Sequence, residues 1–122
     1  MKIAKIEIGW EPSLLKNSAY YLGDTKQGHT KACKKAVYDI VMLLRGELRG
    51  RFRWNGERIQ VVITAYRPRT NIDAQNFVDA ISDAVQIAIN VNDSNFDVVA
   101  VGKTDTDNPR IEIELIQEMK DS

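Results

Sequence analysis

The sequence is short of the residues that staple a chain. Its 122 residues include one cysteine, one histidine and three prolines. Cys33 alone allows no internal disulfide and fits a reducing compartment. With one histidine and one cysteine, a structural zinc site is not expected. No apolar run approaches the roughly 20 residues that a membrane helix needs. The opening Met1 to Ile8 alternates and carries Glu7, so it does not read as a signal peptide. There is no repeat, no low-complexity segment, no Gly-rich phosphate loop and no Ser/His/Asp arrangement. What remains is 43% hydrophobic and 28% charged, an ordinary globular balance that excludes a disordered chain or a collagen. The length suits one domain over residues 1–122 with one sizeable core. The expectation is a cytoplasmic protein with no membrane partner.

The net charge of zero hides a split. Residues 1–70 hold 14 Lys and Arg against 6 Asp and Glu, a net of +8. Residues 71–122 hold 3 against 11, a net of −8. Such asymmetry hints at a polyanion partner, with the basic half neutralising phosphates and the acidic half supplying metal ligands. Alternatively the halves pack together, and their charges pair or face water. Composition leaves both open.

Ile3 to Ile8 alternates as a strand that Trp10-Glu11-Pro12-Ser13 ends, because proline cannot continue a ladder. Residues 14–28 read as a polar loop. Thr30 is a candidate N-cap for a helix to about Leu48, with Cys33, Val37, Ile40, Val41, Leu44 and Leu48 on one stripe. Gly46 and Gly50 punctuate its end, and Asn55-Gly56 signals a tight turn. Ile59 to Tyr66 is the clearest strand. A second helix spans about Ala74 to Asn90, with Asp73 near its start. Asp97 to Val101 and Arg110 to Ile116 are two more strands, joined by Asp107-Asn108-Pro109. The order β-α-β-α-β-β predicts an α+β fold: one mixed sheet with two helices on one face.

Four carboxylates bracket the second helix. Asn76, Asp79 and Asp83 share a face opposite Phe77, Ile81 and Ala88, while Asp73 precedes the helix and Asp93 follows it. Oxygen donors of this kind suit Mg²⁺, and clustered Asp beside a basic surface suits metal-assisted phosphodiester cleavage. Each acid also has a plain structural role open to it. Asp73 can N-cap, worth about 1 kcal/mol, Asp79 and Asp83 can be a solvated face, and Asp93 can make a turn.

Arg45, Arg49, Arg51, Arg53, Arg58, Arg67 and Arg69 crowd the end of the first helix and the central strand, with Phe52 and Trp54 interleaved. Lys16, Lys26, Lys31, Lys34 and Lys35 form a second cluster. Together they point to nucleic acid, by phosphate contact and stacking. Trp54 by itself fits the core or a dimer interface better than base stacking. His29 reads as a surface residue, and Cys33, on the buried stripe, as core and not nucleophile.

Arg67-Pro68-Arg69-Thr70-Asn71-Ile72-Asp73-Ala74-Gln75-Asn76, followed by Ala80-Ile81-Ser82-Asp83-Ala84, resembles the signature of the RusA-type Holliday junction resolvases. That family shows a basic run, Asp-x-Asp-Asn, a lysine, then Asp-Ala on the same helix. Asn92-Asp93-Ser94-Asn95-Phe96 resembles its later Asp-Asp step, and Trp10-Glu11-Pro12-Ser13 its Trp-x-Pro-Ser. Val98 to Lys103 and Arg110 to Leu115 resemble its closing strands. The likeness covers most of the chain in the same order, and its specificity lies in that order.

Carried over by position, Asp73 matches the first acid of Asp-x-Asp-Asn, Asp83 the helix acid, Asp93 the second acid of the Asp-Asp pair, and Lys103 the lysine after the strand. The resemblance implies Mg²⁺ held by Asp73 and Asp93 with Gln75 and Asp79 or Asp83, and strand cleavage in branched DNA. It implies Arg49, Arg51, Arg53, Arg67, Arg69, Lys16, Lys26 and Lys31 on the DNA. A four-way junction needs two matched cuts, which a two-fold homodimer supplies. The sequence departs from the pattern at three positions. Gln75 and Asn92 stand where the family has acids, and both lack negative charge. Asp79 stands where it has the lysine. A non-catalytic RusA-like DNA-binding protein with a degenerate metal site is therefore the alternative, and an interaction domain sharing only the fold is a third reading.

Overall fold

The alternation in Ile59–Arg67 seats the sheet. Ile59, Val61, Ile63 and Ala65 are fully buried, while Gln60, Val62, Thr64 and Tyr66 on the other face are half-buried. Burying one such branched side chain contributes roughly 1.5–3 kcal/mol, so a period of two selects which face carries the helices. The computed structural model describes residues 1–15, 20–22 and 27–119. The strands are β1 (Lys2–Gly9), β2 (Tyr20–Leu22), β3 (Gln27–His29), β4 (Ile59–Arg67), β5 (Phe96–Thr104) and β6 (Arg110–Gln117); the helices are α1 (Lys31–Leu48) and α2 (Val78–Ile89). Short 3₁₀ turns cover Pro12–Leu14, Ala74–Phe77 and Asp93–Asn95.

Four strands make one mixed sheet in the order β1-β6-β4-β5. β6 runs antiparallel to both β1 and β4, and β5 runs parallel to β4. The β4–β5 connection passes through α2, as parallel neighbours require. β2 and β3 pair separately as a small antiparallel ladder. The sheet and both helices enclose one core that includes Ile40, Leu44, Ile63, Phe77, Ile81, Ile113 and Leu115. This is the expected α+β class with two helices.

Helix α1 begins where Thr30 accepts a hydrogen bond from the Cys33 N–H at 3.2 Å. Its buried stripe is Cys33, Ala36, Val37, Ile40, Val41 and Leu44. It ends on Arg49 in the left-handed region (φ 53°), followed by Gly50 (φ 69°). Gly46 lies inside the helix, so the terminating positions are Arg49 and Gly50.

Three expectations are corrected. The segment expected as a polar loop contributes Leu14 to the core at 0% exposure, and part of it pairs as β2 and β3. The second helix is α-helical only from Val78. The Asp73 carboxylate accepts from the Gln75 N–H at 3.0 Å and its carbonyl from the Asn76 N–H at 3.1 Å, so the first turn winds tightly as 3₁₀. Of the core and the dimer interface expected for Trp54, the core is ruled out. Trp54 is 42% exposed, and its indole N–H donates to the Glu57 carbonyl at 2.8 Å because the Asn55-Gly56 turn (Gly56 φ 85°) folds that carbonyl back.

Candidate functional site

The parallel pair gives the sheet a carboxyl end, the place where open α/β sheets bind ligands. There β4 ends at Arg67 and β5 at Thr104, and the turn leading into α2 begins. Arg67 organises this end. Its Nε donates to the Lys103 carbonyl at 3.0 Å, and its Nη1 to the carbonyls of Ile72 at 2.7 Å and Thr70 at 3.3 Å. The guanidinium therefore ties the residues just before Asp73 to the end of β5. Two of its three nitrogens are occupied by carbonyls, so Arg67 positions the turn. Arg69, exposed two residues on, makes no side-chain hydrogen bond or ion pair among the described residues.

Beside this turn, on the open face, a cation stack crosses three strands. Tyr66 stands opposite Lys103 on β5 and Arg110 on β6. The Arg110 guanidinium lies 3.7 Å from the Tyr66 ring centre, and the Lys103 Nζ 5.7 Å. Arg110 also pairs with Asp105 at 2.9 Å and Glu7 at 3.1 Å. Asp105 is held below the usual carboxylate range, first by the Arg110 hydrogen bond and then by the Asn108 N–H.

The first strand delivers Trp10 and Glu11 to the same end. Trp10 packs edge-on against Phe77, ring centres 5.2 Å apart, which locks the end of β1 to the entry of α2. Glu11 accepts from the Ser13 hydroxyl at 2.6 Å. It lies within electrostatic reach of Cys33 and Lys35 on the first turns of α1. The Cys33 thiol is pushed up by burial, then by Asp83, then by Glu11. Glu11 and Asp83 thus both bear on the start of α1. Sequence reasoning quoted Glu11 within Trp10-Glu11-Pro12-Ser13 but gave it no role. Tyr66 and Arg110 were missed because only cross-strand register brings them together; Asp105 reaches Arg110 across the β5–β6 turn.

Asp93 is elsewhere. Its N–H is held by the Gln86 side chain at 2.8 Å, at the last turn of α2, and it opens the 3₁₀ turn that enters β5. Twelve residues of α2 rise about 18 Å, so Asp73 and Asp93 stand at opposite ends of the helix. Asp73, Gln75 and Asp79 are exposed at the entry end; Asp83 sits half-buried in midhelix toward α1. Among the described residues no three His, Cys, Asp or Glu side chains come together to hold a metal ion. The set Asp73, Gln75, Asp79 and Asp93 therefore does not fit one Mg²⁺ within a single chain.

The basic residues divide the same way. Lys31, Lys34, Lys35, Arg67, Arg69 and Lys103 belong to the carboxyl end of β4 and β5. Arg49, Arg51 and Arg53 follow α1 at the opposite end. There Arg45 donates to the Ile87 carbonyl at 3.3 Å, complementing the negative end of α2. Arg58 pairs with Asp97 at 2.9 Å. Arg53 folds onto the carbonyls of Gly50 and Phe52, whereas Arg49 and Arg51 make no side-chain hydrogen bond or ion pair among the described residues. Lys16 and Lys26 lie outside the described residues, as does the side chain of His29.

Among the described residues no helix is long and apolar enough to cross a membrane. No protein-family model matches the chain, and no curated protein matches it.

Proposed function

We propose that this chain acts on branched DNA as a RusA-type junction resolvase, working as a homodimer with Mg²⁺ as the expected cofactor. The observation that carries the proposal is the carboxyl end of the β4–β5 pair. Asp73 on its turn and exposed Arg69 follow the end of β4, and Lys103 closes β5 beside them, with Arg67 bracing the turn. Exposed cations at that end suit a phosphodiester backbone.

One observation favours a second reading, binding without cutting. Asp93 is held at the far end of α2 from Asp73, and Gln75 is uncharged.

The test is a labelled synthetic four-way junction, incubated with and without Mg²⁺ or Mn²⁺ beside Asp73→Asn and Asp93→Asn, with the same samples run on a native gel. Paired symmetric nicks that need metal and vanish in both variants support the resolvase. Tight binding with no cut under either metal supports the binder. Neither binding nor cutting overturns both.

A further inference from the structure

The sheet has two edges, β1 and β5. Exposed edges invite pairing with another chain, and charge along the strand is the usual guard. β1 carries Lys2, Lys5 and Glu7 as exposed residues. β5 carries no charge and no proline between Asp97 and Lys103; Val98-Val99-Ala100-Val101-Gly102 is bare, with Val99 41% and Val101 39% exposed.

The backbone phase of β5 follows from one bond. The Asp105 N–H donates to the Arg67 carbonyl at 2.8 Å, and Arg67 stands opposite Thr104. In a parallel ladder this turns the backbone groups of odd-numbered β5 residues toward β4. Those of Val98, Ala100 and Gly102 face outward, and no turn, loop or side-chain hydrogen bond reaches them among the described residues.

We propose that two copies of this chain join through β5, edge to edge and antiparallel, across a two-fold axis at Ala100. Ala100 then pairs with Ala100 of the second copy, and Val98 with Gly102, all by outward-facing groups that exchange about six backbone hydrogen bonds. On the open face Val99 meets Val101, and Asp97 meets Lys103, each twice. These are non-hydrogen-bonded pairs, where side chains approach most closely. The charge match selects the register. Shifted to Val99, the axis leaves Asp97 facing Val101; shifted to Val101, it sets Asp97 against Asp105. Within its own chain Asp97 binds Arg58 through Oδ2, which leaves Oδ1 for the incoming lysine. The result is one continuous eight-stranded sheet with the helices of both copies on the same side. This deepens the homodimer of the junction reading by naming its interface, and its test uses no DNA, so the two fail separately.

Sedimentation velocity of the full chain over a concentration series is the experiment. The expected species has twice the 13.8 kDa chain mass. Ala100→Pro removes an outward N–H that the single chain does not use, so it should stay folded by circular dichroism and sediment as a monomer. Lys103→Glu should do the same by setting two acids face to face. The double variant Asp97→Lys with Lys103→Glu should restore the dimer. A wild-type monomer at every concentration overturns the proposal. So does a dimer that Ala100→Pro and Lys103→Glu leave intact, which would place the second copy on another surface.

Discussion

Arg67 lies against Gly102. A Cβ at position 102 would stand 2.9 Å from the Arg67 Cζ, closer than such atoms approach. The bare glycine lets the guanidinium lie close against β5 and donate to the carbonyls of Lys103, Thr70 and Ile72, which holds the turn before Asp73. Arg67→Ala should therefore lower stability by about 1–2 kcal/mol, the scale of a few charge-assisted bonds at a half-exposed site. Gly102→Ala should cost less, because the long side chain can swing away, yet it should free the same turn. Urea unfolding measures the first effect, and amide exchange at Ile72 and Asp73 the second.

The Asp105–Arg110 pair makes a pH prediction. The folded-state pKa of Asp105 is depressed, chiefly by Arg110. Its contribution is therefore fully present above the unfolded carboxylate pKa of about 4 and is lost as pH falls through the folded value. Asp97 follows the same sign through Arg58. Thermal melts from neutral to acidic pH should show a decline that Asp105→Asn flattens. Asp97 is exposed and Asp105 half-buried, so salt should weaken the effect, more for Asp97.

Cys33 should be inert in the native protein. It is 0% exposed, and burial, Asp83 and Glu11 all push its thiol pKa upward. Less thiolate and no access both slow alkylation. Iodoacetamide labelling at mildly alkaline pH should be far slower in buffer than in urea. Equal rates would contradict the packing of α1.

The division of the basic residues predicts where DNA lies. If the carboxyl end of β4 and β5 is the contact surface, Arg69→Gln should weaken junction binding and reduce the salt slope by about 1. Arg49→Gln and Arg51→Gln should change it little. The reverse pattern in a fluorescence titration at several salt concentrations would move the contact to the end of α1.

Local patterns were legible from the sequence because they obey short-range rules. The α1 stripe from Cys33 to Leu44 and its Thr30 cap are visible in residue spacing, as is the alternation of β4. The helical entry at Ala74 was not, because an Asp side chain competing for the Gln75 N–H outweighs helix periodicity at that turn. Of the two places open to Trp54, the core and a dimer interface, the structure removes the core, because an aromatic among arginines carries no sign of which way a turn will point it.

The sequence by itself determined the class of the fold, the two helices and the supply of acids and bases in separate halves. Periods of two and near four state which face of each element is apolar, and that is enough to demand one sheet covered by two helices. Only the tertiary structure decided which charges meet. Strand order and register bring Tyr66, Lys103 and Arg110 together from three strands, and the direction of α2 holds Asp73 and Asp93 apart. Sequence spacing carries neither, because the distance between two side chains on different elements depends on packing direction and register, which no local pattern encodes.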